Sequence, residues 1–201
     1  MNRILLKDGA NTRSGVVWHT QGSGKTLTMI MLTKMILRES MQPNSMIKQP
    51  RFVMATDRIN LDKQIRDNFI HTQMSPHRAK TGKGLIELLK EESNTVITAL
   101  VNKFEAAVKQ EYCNDSKNIF DEGHRTQYGK LNIYMNRVLP NAVKIAFTGT
   151  PLMQKKPKEN KRDIVPARDT YEKFGPEIDR YTLQDAIDDK VTVPIVYEGR
   201  V

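Results

Sequence analysis

A lysine set among small polar residues, His19-Thr20-Gln21-Gly22-Ser23-Gly24-Lys25-Thr26, is the first place in this chain where residue types and spacing point to chemistry. Just ahead of it lies the apolar run Gly15-Val16-Val17-Trp18, and from Leu27 to Leu37 nothing breaks a helix. Strand, glycine-rich turn and helix start together make the context that a phosphate-binding loop needs. Glycines let the backbone wrap a polyphosphate closely, and the helix start offers N–H groups without intrahelical partners and the positive end of a dipole. Lys25 would reach the β- and γ-phosphates, Thr26 would hold Mg²⁺, and Thr20, Gln21, Gly22, Ser23 and Gly24 would line the loop. The strict spacing calls for glycine where this chain has His19, so the loop is a variant. A Gly-Ser-Gly stretch before a helix also serves elsewhere as a plain flexible turn. The Gly-Lys-Thr run and the strand-helix context favour the phosphate loop.

A second group follows Asn118-Ile119-Phe120: Asp121-Glu122-Gly123-His124. Adjacent acids at a strand end suit nucleotide hydrolysis, with one carboxylate on Mg²⁺ and the second orienting or deprotonating the attacking water. Asp121 takes the metal role in this reading and Glu122 the role of base. His124, directly after the acids, is placed to sense the γ-phosphate. Asp-Glu before Gly is an ordinary turn when it stands alone, and its place some way after a phosphate loop gives it meaning. A third segment, Ala146-Phe147-Thr148-Gly149-Thr150-Pro151, ends a further strand with small hydroxyl residues that can bridge the nucleotide site to something beyond it.

The elements that must position these groups alternate along the chain. Val16 to Trp18 reads as a strand, and Thr26 to Arg38 as a helix that is apolar nearly all round and hence buried. Arg51 to Thr56 reads as the next strand. Leu61, Ile65 and Phe69 recur on one helical face, and Leu85, Ile86, Leu88 and Leu89 mark another helix. Strands follow at Thr95 to Ala99 and at Val143 to Phe147. Strands that alternate with helices imply an α/β fold with a mostly parallel sheet flanked by helices. Ligands on such sheets bind at the carboxyl ends of the strands, where the Lys25 loop lies. Residues 152–169 are polar, basic and contain proline, and read as a flexible loop. Tyr181 to Asp188 reads as a short helix, and Val191 to Tyr197 as an edge strand or extended connector because it contains Pro194.

Bulk composition narrows the class. The chain has 201 residues, enough for one domain, and 38% of them are hydrophobic, ample for a core. Lys and Arg number 32 against 23 Asp and Glu, a net charge of +9 that suits a polyanionic partner, nucleic acid above all. Lys155, Lys156, Lys158, Lys161 and Arg162 form a local cluster that reads as a solvated loop. No membrane span or signal peptide is apparent, and Cys113 stands alone, which excludes a disulfide framework and a cysteine-based metal site. A cytoplasmic setting and no membrane partner are the expectation.

Taken in order, Gln21-Gly22-Ser23-Gly24-Lys25-Thr26, Asp121-Glu122-Gly123-His124 and Thr148-Gly149-Thr150-Pro151 resemble motifs I, II and III of superfamily 2 helicases and translocases. Trp18-His19-Thr20-Gln21, Thr56-Asp57-Arg58 with Leu61-Asp62, Asn102-Lys103-Phe104, Gln127-Tyr128-Gly129 and Tyr181-Thr182-Leu183 with Ala186-Ile187 narrow it. Together they resemble the R, or motor, subunit of type I restriction–modification enzymes, over nearly the whole chain. The resemblance implies a RecA-like domain over residues 1–151 that carries motifs I, Ia, II and III, then the basic loop at 152–169. Residues 170–201 would lead toward a second RecA-like domain. It also implies ATP with Mg²⁺ as cofactors and double-stranded DNA as the track. The modification and specificity subunits of the same system would be partners. Thr56, Arg58 and Lys103 would lie on the DNA-facing side, where contacts to phosphates position a duplex without reading its sequence. His124, Thr148, Gly149 and Thr150 would couple nucleotide state to DNA contacts. With one RecA-like half and no nuclease constellation ahead of Lys25, the chain alone is expected to bind nucleotide weakly and neither to translocate nor to cut.

Two other readings stay open from sequence. One is a superfamily 2 helicase fragment acting on DNA or RNA. The other is a catalytically inactive nucleotide fold used for docking, favoured by the short apolar run of Ile119 and Phe120 before the acids. A buried strand usually has about five or six residues.

Overall fold

The structure, a computed structural model, describes residues 14–45, 47, 49–91, 95–111, 127–151 and 170–193. In chain order the elements are β1 (Gly15–His19), α1 (Lys25–Ser40), β2 (Phe52–Thr56), α2 (Ile59–His71), β3 (His77–Ala79), α3 (Gly82–Lys90), β4 (Val96–Leu100), α4 (Val101–Glu111), α5 (Gln127–Val138), β5 (Ile145–Thr148), α6 (Thr170–Phe174), β6 (Glu177–Tyr181) and α7 (Leu183–Asp188). The chain divides into two compact units, Met1–Lys25 with Val143–Val201, and Thr26–Ala142. Each holds a three-stranded sheet, ordered β5-β1-β6 in the first and β2-β4-β3 in the second. Every pairing is parallel. The α/β architecture with parallel sheets and flanking helices is therefore the one the alternating sequence implies.

In the first unit β1 is the central strand, and Val16 and Val17 are both buried. That burial on both faces is why the run is continuously apolar. β5 pairs with it in simple register, from Gly15 opposite Ile145 to Trp18 opposite Thr148. β6 is irregular: Val16 lies opposite Glu177, but Val17 lies opposite Asp179, so Ile178 is an extra residue in β6. Gly15 sits against this irregularity. A Cβ there would come 2.5 Å from both Ile178 Cγ1 and the Pro176 carbonyl oxygen, so no larger residue fits. Thr182 and Asp185 close a capping box at the start of α7, each side chain accepting from the other's backbone N–H.

In the second unit Ala79, Leu85, Ile97, Ala99, Phe104 and Ala107 form one buried cluster, and Ile30, Ile65, Phe69 and Val96 form another. β4 is buried along most of its length and contributes to both clusters. Asp62 on α2 is also buried, and Arg78 of β3 places its Nε 2.8 Å from Asp62 Oδ2, an ion pair that offsets part of the cost of burying a carboxylate whose two oxygens have no well-aligned hydrogen bond among the described residues.

Several sequence expectations need correction. α1 is not buried all round: Ile30, Thr33 and Ile36 face inward, whereas Leu27, Met31 and Met35, one turn apart, are exposed. An all-round apolar composition leaves the inward side to be chosen by the packing of the unit. On α2, Ile65 and Phe69 are buried as expected, but Asp62 takes the first inward position and Leu61 lies at the surface. Tyr181 ends β6 and does not begin a helix, and α7 starts at Leu183. β3 and β6 carry too little apolar content to be read from sequence. α4 and α5 are not among the expected elements, although Val101, Phe104, Ala107 and Val108 in one, and Leu131, Tyr134, Met135 and Val138 in the other, recur at helical spacing. Residues 191–193 form no strand, and the rest of that expected segment, like 152–169, lies outside the described residues.

Candidate nucleotide site

β1 delivers the chain to the loop at the carboxyl end of the parallel sheet, and α1 begins at Lys25. Between them Gly22 has φ +84° and Gly24 φ +81°, both in the left-handed region that side-chain-bearing residues avoid. A Cβ built on either would meet no atom of the described residues within 4 Å, so it is conformation that requires glycine there. His19 does not share that constraint. It lies in regular strand, and its φ is not positive.

The lysine is held inside its own loop. Lys25 Nζ donates to the carbonyl oxygens of Thr20, at 2.7 Å, and His19, at 3.1 Å. Ser23 Oγ donates to the Thr20 carbonyl as well, at 2.6 Å. Burial holds the Lys25 ammonium below the ordinary lysine range. A partly desolvated cation whose partners among the described residues are carbonyl dipoles gains when a polyphosphate arrives. The left-handed glycines, the lysine and the helix start therefore fit a nucleotide phosphate chain on their own geometry.

Gly149 closes one side of the loop. A Cβ on it would lie 3.3 Å from the His19 carbonyl oxygen, 3.4 Å from Gln21 N and 3.7 Å from Lys25 Nζ. The Trp18 indole N–H donates to the Gly149 carbonyl at 3.2 Å, and Thr150 N–H donates to Thr148 Oγ1 at 3.1 Å. The strand that leads into the first motif and the third motif, far apart in sequence, are thus joined by a direct hydrogen bond. β6 closes the other side. His19 Nε2 lies 2.7 Å from Asp179 Oδ2, and the His19 and Tyr181 rings meet edge-on at 5.9 Å. The Arg180 guanidinium stacks 4.6 Å above the Trp18 ring while bonding Glu177, whose carboxyl it holds below the usual carboxylate range.

Asp121, Glu122 and His124 lie outside the described residues. Among the described residues no group of three or more His, Cys, Asp or Glu side chains gathers into a metal site. In the second unit Thr56 is buried, and its hydroxyl has no hydrogen-bond partner among the described residues. Arg58 stands at the N-cap position of α2 with its side chain open to solvent, 3.7 Å from Asp57. Lys103 is half-buried on α4, and its neighbour Phe104 is a core residue. Sequence reading missed Asp179 and Arg180 altogether, because Glu177-Ile178-Asp179-Arg180-Tyr181 has only Ile178 and Tyr181 to suggest a strand.

Comparison with known proteins places this loop in a family. The model of the SWI2/SNF2 ATPase family matches residues 1–201. The chain belongs to the SWI2/SNF2 ATPase family. Among curated relatives, a putative type I restriction enzyme MjaIXP endonuclease subunit of Methanocaldococcus jannaschii is 34% identical over 94% of this chain and 17% of the relative. The type I restriction enzyme HindI endonuclease subunit of Haemophilus influenzae is also 34% identical, over 92% of this chain and 18% of the relative. The resemblance to R subunits that the motifs carry is thereby upheld. The chain spans less than a fifth of the length of these relatives. Among solved structures, a nuclease-deletion mutant of the type ISP restriction–modification enzyme LlaGI, in complex with a DNA substrate mimic, superimposes with a TM-score of 0.55. Its sequence is 15% identical, and the match covers 90% of this chain and 19% of that one. This likeness fits a RecA-like SWI2/SNF2 ATPase domain. No described helix is long and apolar enough to cross a membrane.

Proposed function

We propose that this SWI2/SNF2 ATPase chain is motor sequence of a type I restriction endonuclease R subunit, using ATP hydrolysis to translocate double-stranded DNA before cleavage. The observation that carries the nucleotide part is the loop itself: two left-handed glycines, a lysine held on the loop's own carbonyls, and Gly149 packed beside it. The restriction-enzyme relatives at 34% identity carry the rest. Bound ATP and Mg²⁺ would supply the phosphoryl chemistry. Lys25 and the N–H groups from Gly22 to Thr26 would bind the phosphates, and Thr26 with Asp121 would hold the metal ion. Glu122 would accept the proton of the attacking water. His124, Thr148, Gly149 and Thr150 would link nucleotide state to the DNA contacts.

Double-stranded DNA is the proposed track, and Thr56, Arg58 and Lys103 are the proposed residues of the DNA-facing surface. The net charge of +9 supports a polyanion partner. Arg58 has the exposure for a phosphate contact, whereas Thr56, being buried, would serve by shaping the β2–α2 turn. The modification and specificity subunits of a restriction system are the proposed protein partners, with base recognition left to the specificity subunit.

The test is ATP hydrolysis by the complete subunit that carries this sequence. Stimulation by duplex DNA, abolished by Lys25→Ala, is expected. Stimulation by single-stranded RNA alone would place the chain with the helicases instead.

A further inference from the structure

The extra residue in β6 decides which side chains meet the phosphate loop. In a parallel pair, residues opposite each other project to the same face and faces alternate along the strand. With Ile178 bulged out, Val17 lies opposite Asp179, Trp18 opposite Arg180 and His19 opposite Tyr181. Val17, His19, Asp179 and Tyr181 therefore share one face, while Trp18 and Arg180 share the other. The contacts agree: His19 bonds Asp179 and meets Tyr181, and Arg180 covers Trp18. Had the register run unbroken from Val16 and Glu177, His19 would lie opposite Arg180 and Trp18 opposite Asp179. A one-residue slip exchanges the faces, and the bulge fixes which exchange is made.

We infer that Asp179 is a positioning residue for the phosphate loop, acting through His19. The route is short. Asp179 Oδ2 holds His19 Nε2 at 2.7 Å, and the His19 carbonyl is one of the two acceptors that hold Lys25 Nζ. His19 is buried at 8% exposure, so its ring is set by the protein, while the Asp179 side chain that reaches it is 64% exposed. Position 19 is where the strict loop spacing has glycine, yet the backbone here has no positive φ that needs one. The histidine replaces a conformationally free residue with a side-chain tether from β1 to β6. The tether fixes where the loop leaves the sheet, and with it the carbonyl that aims the lysine.

This inference rests on the nucleotide-binding reading, and one experiment separates the two. The 201-residue chain is titrated with a fluorescent ATP analogue and Mg²⁺, as wild type, Lys25→Ala, Asp179→Ala, Asp179→Asn, His19→Gly and the His19→Gly/Asp179→Ala double variant. Asp179→Ala and His19→Gly are each expected to weaken binding about fivefold, the size of one hydrogen bond. The double variant should be no weaker than either alone, because both remove the same link. Asp179→Asn should stay within about twofold of wild type, since its amide oxygen still accepts from Nε2–H. Urea midpoints measured alongside report folding, and the Asn variant carries the test where the Ala variant does not fold. Binding by His19→Gly as tight as wild type, additive losses in the double variant, or equal losses in Asp179→Asn and Asp179→Ala would overturn the inference. Binding that is the same in wild type and Lys25→Ala would overturn the nucleotide reading itself.

Discussion

Lys25 brings charge, burial and backbone geometry together. Its ammonium is held below the ordinary lysine range by burial, and the protonated form is the one that binds a polyphosphate. As pH rises through the lowered Lys25 value, below the ordinary lysine titration near about 10.4, the free protein gives up the binding-competent form and nucleotide affinity falls. Titrations from neutral to alkaline pH should show that decline, and Lys25→Arg, which stays charged, should flatten it. Gly24 offers a second check. Replacing it with alanine forces a side chain into the left-handed region at a cost of about 1–2 kcal/mol, so Gly24→Ala should lower both the urea midpoint and nucleotide affinity. Gly22, Gly24, Lys25 and Gly149 were legible in the sequence because their types and spacing are themselves the chemistry. Asp179 was not legible. Its place opposite Val17 depends on the bulge at Ile178, and a one-residue register shift leaves no trace in composition.

At the scale of elements, the tightest constraints are close approaches that only small residues permit. A Cβ on Gly82, the first residue of α3, would lie 2.4 Å from Ala107 N and 2.5 Å from the Ala106 carbonyl carbon on α4. Both obstacles are backbone and cannot swing aside. Gly82→Ala should therefore destabilise the second unit by about 1–3 kcal/mol, read as a lower urea midpoint, in spite of alanine's better helix propensity. In the first unit, Asp185 and Glu177 have carboxyls held below their usual range, chiefly by hydrogen bonds from Thr182 and from Arg180 respectively. Depressed folded values mean stabilisation that is present above about pH 4 and disappears as pH falls through those values. Thr182→Ala should weaken the acid dependence and shift the midpoint down at neutral pH. The order β1, α1, β2, α2, α3, β4, and β5 further on, was readable because buried parallel strands are short apolar runs between helical periods, whereas the short β3, His77–Ala79, was not. The inward side of α1 was not readable, since Leu27, Met31 and Met35 are as apolar as Ile30 and Ile36.

For the molecule as a whole, the family and the fold agree with what three short motifs and an alternating pattern imply. The net charge of +9 makes a salt-dependent attraction to a polyanion the simplest expectation for this part of the proposed subunit. Removing one cation that binds a DNA phosphate should reduce the slope of log affinity against log salt by about one. Arg58→Ala and Lys103→Ala on that subunit therefore report whether these residues touch the DNA backbone. Every other proposed role depends on nucleotide binding at the loop. Trp18 is the single tryptophan of the chain, and its indole N–H is bonded to the carbonyl of Gly149, which packs beside Lys25. Its fluorescence can therefore be followed while Mg²⁺ and ATP are titrated into the wild-type chain and into Lys25→Ala. A saturable change in the wild type that is absent from Lys25→Ala is the predicted result, and the same response in both, or none in either, would contradict it.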